Sequence, residues 1–363
     1  MDSVDDSSAV LALRASGLGD LLAVVPALRA LQRHYSNRPL VLATPVWLAP
    51  LALASGAVDE ILPTTGPDAL TWSRPHPPAV AVNLHGCGPQ SHRALDRTRP
   101  VERIGCRAAG WTGPDCAELA ARHPHERARW CALLEAYGIP ADPTDLCLPA
   151  PPGAAGNGPA IIVHPGGGFG AKLWPADRFA AVAAALDRTD APVVITGSAA
   201  ERPLAEQVAG AAGLPPRRVL AGQTELPELA RLVAGASLVI SGDTGIAHLA
   251  AAYGAPSVVL FGPVPASRWG PPADGPHVAL SRDEARRGDP FAGDPDPALL
   301  GVTVADVLAA ARSLGTAARD GIPTTRDGPA LPRQRVYPPG LRDRHLLPGP
   351  ARPSRPRRPL GAG

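Results

Sequence analysis

Three glycine-containing stretches hold the side chains whose types and spacing could do chemistry. In the segment Ser241-Gly242-Asp243-Thr244-Gly245, turn residues open a run in which Ile246, Leu249, Ala250 and Tyr253 recur at helical spacing. Thr244 and His248 lie four apart on a different face, and helical side chains lean toward the N-terminus, so His248 should overlie the first turn. Unpaired amides, the helix dipole and the bare backbone of Gly245 would suit an anion such as phosphate there. An ordinary N-cap at Asp243 with a partly buried His248 is the purely structural alternative. The second stretch, His164-Pro165-Gly166-Gly167-Gly168-Phe169-Gly170-Ala171-Lys172, ends in the only lysine of the chain, whereas Arg supplies the other 34 of 35 basic residues. A lone ammonium in a glycine loop suits a compact point charge where a guanidinium fork would not fit. The third, Ser16-Gly17-Leu18-Gly19-Asp20, places a carboxylate in a first helical turn, where it could act as a base or merely complement the dipole.

Each stretch follows an apolar run that reads as a strand: Ala9 to Arg14, Ile161 to Val163 and Leu238 to Ile240. Further runs at Leu40 to Thr44, Val58 to Leu62, Val80 to Leu84, Val193 to Thr196, Val219-Leu220 and Ser257 to Phe261 alternate with helical patterns. Helices are expected from near Asp20, after Pro45, over Glu118 to Tyr137, Ala176 to Leu186, Leu226 to Ala234 and Val304 to Leu314. Such alternation predicts parallel sheets covered on both faces, and open sheets of that kind bind ligands at the carboxyl ends of their strands. His85 would sit at one such end, as a site residue or an ordinary loop histidine.

The second glycine loop is no P-loop, because Ala171 and Leu173 flank Lys172 where Gly and then Ser or Thr are needed. Gly166-x-Gly168-x-x-Ala171 loosely matches a dinucleotide fingerprint, but the next strand ends in Gly197-Ser198 and offers no acid for a ribose. Glu201 follows at the start of a helix.

The Pro/Gly/Ala-rich run Pro149 to Pro159 marks a linker, dividing residues 1–152 from 153–320. Residues 321–363 hold nine Arg against two Asp and ten prolines, so with +2 overall the first 320 residues carry −5. The folded part therefore has no nucleic-acid footprint, and the tail reads as disordered and solvated, though its charge would also allow peripheral contact with an anionic membrane face. An acidic N-terminus without an apolar leader points to the cytoplasm. Five cysteines at 87, 106, 116, 131 and 147, without a C-x-x-C pair, read as buried reduced thiols, with no metal site even though His123 and His125 lie nearby.

Together, SGLGDLL at Ser16 to Leu22, HPGGGFGAKLWP at His164 to Pro175, and SGDTGIAHLAAAYGAPSVVLFGP at Ser241 to Pro263 resemble family 9 glycosyltransferases, which include the ADP-heptose:lipopolysaccharide heptosyltransferases. The resemblance covers most of residues 9–315. It implies the GT-B architecture: two Rossmann-like α/β domains facing a cleft, acceptor mainly on the first and nucleotide-sugar donor mainly on the second. Carried over by position, it makes Asp20 the general base and Lys172 the cation on the donor diphosphate. It places Glu201 and Thr224 near the nucleoside, Asp243, Thr244, Gly245 and His248 at the pyrophosphate and sugar, and adds Ser16, Gly17, Gly19, Gly167 and Gly168 to the donor-binding set. The implied reaction is inverting transfer of a heptose-like sugar from an ADP-linked donor to a hydroxyl of a cell-envelope or lipopolysaccharide-like glycan. It needs no metal and no cofactor besides the donor, and a monomer suffices. The alternatives are a non-catalytic nucleotide-sugar-binding protein and an NAD-dependent oxidoreductase.

Overall fold

The computed structural model describes residues 9–154, 160–187 and 191–319, the last four by backbone alone. The tail expected to be disordered and the end of the linker lie outside the described residues.

Largely aliphatic runs, buried on both faces at the centre of each sheet and part-exposed toward its edges, form two five-stranded sheets. The first comprises β1 (Val10–Leu13), β2 (Leu40–Thr44), β3 (Glu60–Pro63), β4 (Val80–Asn83) and β5 (Glu102–Ile104), ordered β3-β2-β1-β4-β5. The second comprises β6 (Ile161–His164), β7 (Val193–Ile195), β8 (Leu238–Gly242), β9 (Ser257–Leu260) and β10 (His277–Leu280), ordered β10-β9-β8-β6-β7. All pairings are parallel, which requires cover on both faces and explains why every residue of β1 is fully buried. The covering helices are α1 (Leu18–His34), α2 (Ala49–Ala54), α3 (Pro89–Asp96), α4 (Cys116–Arg122), α5 (Glu126–Glu135), α6 (Ala176–Leu186), α7 (Arg202–Ala211), α8 (Leu226–Ala234), α9 (Gly245–Tyr253), α10 (Ala266–Trp269), α11 (Pro297–Leu300) and α12 (Val304–Arg319).

Strand order reverses between β1 and β4 in the first sheet and between β6 and β8 in the second. Crossovers leave these neighbours on opposite faces, which opens a crevice at the carboxyl ends of the strands. The loops after β1, β6 and β8 are the three stretches that carry the candidate chemistry. The halves differ in winding: the first sheet runs outward twice from its opening strand, whereas β7 adds beside β6 before the chain crosses to β8.

Several sequence expectations are corrected. The helix expected over Glu118 to Tyr137 is two helices, because the Pro124 ring interrupts it and His125 then caps α5 through its ring, accepting from the Arg127 amide at 3.2 Å. Val219 makes only an isolated bridge to Ile195. The cap of α9 is Thr244 rather than Asp243, whose carboxylate is drawn elsewhere. Nor are the cysteines all reduced and buried: Cys87 and Cys116 are disulfide-bonded, Cys106 and Cys131 are buried thiols, and Cys147 is exposed. The loop after β4 and the start of α4 bring the first two together across 29 residues, a proximity that spacing does not reveal.

α1 is buried nearly all round. Leu21, Leu22, Val24, Val25, Leu28 and Leu31 share one apolar cluster with Ile246, Leu249 and Ala250 of α9 and with Ile162 and Val239 of the second sheet. One continuous core thus joins the two sheets. Among the described residues, no helix is long and apolar enough to cross a membrane.

Candidate active site

The loop after β1 is held by Arg14, which is 3% exposed. Its guanidinium donates to the Asp20 carboxylate in a short contact, to the Asp20 carbonyl at 3.1 Å, and to the carbonyls of Leu84 at 2.6 Å and His85 at 3.4 Å. Burial lowers the Arg14 pKa while the carboxylates of Asp20 and Glu126 oppose that shift, so the group stays a cation. Asp20 caps its own helix, its second oxygen accepting from the Gly17 amide at 3.2 Å, and its side chain remains 35% exposed toward the crevice. The Ala15 amide donates to His85 Nδ1 at 3.2 Å, which puts the ring proton on Nε2, and Ser16 Oγ lies 3.3 Å from the same nitrogen. Burial and the nearby Arg14 charge lower the His85 pKa and keep it neutral.

At the second switch point, Lys172 Nζ donates to Asp243 Oδ2 at 2.9 Å and lies 3.4 Å from the Asp243 carbonyl. Asp243 is only 8% exposed; burial would raise its pKa, but the nearby His248 ring and the Lys172 ammonium hold it below the usual carboxylate range. His248 Nε2 stands 3.8 Å from Asp243 Oδ1, and its ring meets Trp269 edge-on at 5.5 Å. His248 therefore does lean back over the helix start. Among the described residues, the amides of Thr244, Gly245 and Ile246 have no protein acceptor, so an anion-accepting helix start remains open.

The two loop systems meet. A Cβ on Gly19 would lie 2.7 Å from His248 Cδ2, and one on Gly245 would lie 2.8 Å from Leu18 Cβ. Both glycines are therefore needed for the first turns of α1 and α9 to approach this closely, and the contact places the Asp20 turn beside the Lys172-Asp243-His248 group. A hydrogen bond from His125 Nε2 to the Gly270 carbonyl at 2.9 Å crosses between the halves nearby.

Glu201 reaches the same edge from the end of β7, caps its turn by accepting from the Ser198 amide at 2.7 Å, and abuts Gly166, where a Cβ would fall 2.2 Å from its Oε1. His164 beside it bonds Thr196 Oγ1 at 3.0 Å and is held neutral by burial. Gly167 packs against Lys172, and Gly168 faces open space. Thr224 is partly exposed two residues beyond Gly222, whose amide donates to Gly197; no bond ties Thr224 to Glu201 or Lys172 among the described residues. Ser16 and Gly17 are engaged by His85 and Asp20 rather than turned toward Lys172.

With this geometry, residues 138–287 match the model of glycosyltransferase family 9 (heptosyltransferase). The matched residues make up less than half of the chain. They include the Lys172 loop, Glu201 and the α9 start, but not Asp20. The chain is 37% identical over 112 residues to lipooligosaccharide heptosyltransferase 2 of Haemophilus influenzae, covering 30% of this chain and 32% of that protein. The sequence match thus spans about a third of the length of that relative. The fold match is wider. A family 9 glycosyl transferase from Veillonella parvula superposes with a TM-score of 0.65 at 17% identity over 86% of this chain and 98% of that one. The E. coli ADP-heptose lps heptosyltransferase II does so with 0.62 at 19% over 86% and 99%. The GT-B fold therefore extends over the first half, beyond the matched domain.

Arg14 is the site residue that sequence reading missed. Its signal was a charge closing a fully apolar strand six residues before Asp20, a place where burial demands a partner.

Proposed function

We propose that the chain is an inverting glycosyltransferase that moves a heptose-like sugar from an ADP-linked donor to a hydroxyl of a cell-envelope or lipopolysaccharide-like glycan. The contact of Gly19 with His248 carries this reading, because it sets a carboxylate opposite a cation and free amides. Asp20 takes the proton of the acceptor hydroxyl as its oxygen attacks the anomeric carbon in line. Arg14 holds that carboxylate in its orientation. The departing diphosphate gathers negative charge, which Lys172 and the open amides at the start of α9 stabilise without reorganising. Asp243 holds the ammonium in place before the donor arrives, and His248 offers a further donor to phosphate or sugar. Glu201, at the same strand edge, accepts hydroxyls of the nucleoside ribose, with Thr224 at the periphery. Ser16, Gly17, Gly167 and Gly168 complete the donor loops. Transfer uses no metal and no cofactor beyond the donor, and the protein acts as a monomer in the cytoplasm beside the inner membrane face.

A thermal-shift panel of nucleoside diphosphates and their sugars tests the reading. Stabilisation follows RT ln(1 + [L]/Kd), about 2.7 kcal/mol at a hundredfold excess over Kd. ADP and ADP-heptose should raise the melting temperature of the native chain and not of Lys172→Ala, and turnover should not depend on added magnesium or manganese. A shift with NAD alone would overturn the assignment.

A further inference from the structure

Cys87, Cys106 and Cys116 lie outside the machinery above, yet their sulfur atoms fall within 4.8 Å of one another. They come from three elements: the loop after β4, the end of β5, and the first residue of α4. Hydrogen bonds that involve no sulfur fix each of these backbones. The Arg107 amide donates to the Pro114 carbonyl at 2.9 Å, folding the intervening loop back so that Cys106 meets Cys116. Buried His92 spans the carbonyls of Gly88 and Cys106 at 3.0 and 3.1 Å, which ties the Cys87 loop to the end of β5. Tyr137 Oη donates to the Gly105 carbonyl at 2.7 Å and accepts from its amide at 3.1 Å. The three sulfurs are thus brought together by a scaffold that would persist without a bond between them.

We propose that the reduced chain binds one zinc ion through Cys87, Cys106 and Cys116. Thiolates select zinc among the common divalent cations, and tetrahedral sulfurs about 2.3 Å from zinc stand about 3.8 Å apart, inside the observed spread. Asp115 is the nearest carboxylate in sequence, but its Oδ1 already accepts from the Ala117 and Glu118 amides at 2.8 and 3.1 Å, so water fills the fourth position beside exposed Cys87. The disulfide and the ion are alternatives. Opening the Cys87-Cys116 bond takes two electrons from a reductant and two protons: a dithiol gives both and becomes a disulfide, whereas a phosphine gives the electrons and becomes its oxide as water supplies the oxygen and the protons; zinc then displaces the protons of three thiols. The ion would pin the loop that presents His85 to the Ala15 amide, and so steady the turn that carries Asp20 without touching substrate.

The test uses the full chain reduced with a phosphine and titrated with cobalt(II) without oxygen. One cobalt per chain with a sulfur-to-cobalt charge-transfer band, displaced by zinc, is expected. Cys106→Ser and Cys87→Ser should each abolish the band, and Cys147→Ser should leave it intact; Cys87 is exposed, so its variant keeps the core. A chain with all five thiols titratable that shows no band overturns the proposal, as does a band that survives in both Cys87→Ser and Cys106→Ser.

Discussion

Replacing Gly19 by Ala would ask whether the two halves really meet at the reacting groups. The added carbon would stand 2.7 Å from His248 Cδ2 and 3.2 Å from Nε2, where non-bonded carbons prefer about 3.5–4.0 Å. The ring must therefore retreat by about 0.8 Å or more. It has little freedom to do so, with Trp269 edge-on at 5.5 Å and Asp243 at 3.8 Å. Misplacing a positioning group by about 1 Å can cost about 100-fold in rate. Stability should barely move, since Ala gains about 0.5–1 kcal/mol over Gly in a helix while an off-rotamer ring costs about 0.5–1.5 kcal/mol. Gly19→Ala should thus lose about two decades of sugar transfer and much of its nucleotide-induced thermal shift, while melting within a few degrees of the native chain. Gly210→Ala on α7, which meets open space and lies outside the donor loops, is the control. In the double variant with His248→Ala the obstruction is gone, so the second change should add nothing. Full turnover in Gly19→Ala, or additive losses in the double variant, would refute the contact between the two first turns.

Lys172→Ala strands a carboxylate that is 8% exposed, and because Lys172 itself is 23% exposed the loss should be nearer 2 than the roughly 3–5 kcal/mol of a fully buried pair. Adding Asp243→Asn should restore the denaturation midpoint but not ADP binding. Arg14→Ala frees the carbonyls of Leu84 and His85 along with Asp20, and should cost about 3–5 kcal/mol in chemical denaturation; Arg14→Lys, lacking the fork, should recover only part of this. Burial first, then the Arg127 charge, lowers the His277 pKa to about 4. The unfolded chain then takes up a proton near pH 6.5 that the native one refuses, so stability falls between pH 6.5 and about 4, by up to about 3 kcal/mol. His277→Gln should flatten that limb of a pH-dependent melting curve.

The chain's own pattern determined a good deal. Apolar runs broken by glycine loops read as parallel strands, and the loops after β1, β6 and β8 were legible as ligand edges, because alternation of strand and helix forces crossovers. The lone lysine and the i, i+4 placement of Thr244 and His248 likewise picked out residues that the fold gathers. Relations between distant segments were not written there. Ala9 to Leu13 shows no partner for Arg14, since the guanidinium is satisfied by Asp20 and by carbonyls seventy residues away. The close approach of the first turns of α1 and α9 depends on glycines whose need arises only from the other helix, and the meeting of three cysteines depends on β4 lying beside β5. Local periodicity encodes which face is buried; only the packed sheets decide what it is buried against, and with it which charges can reach one another.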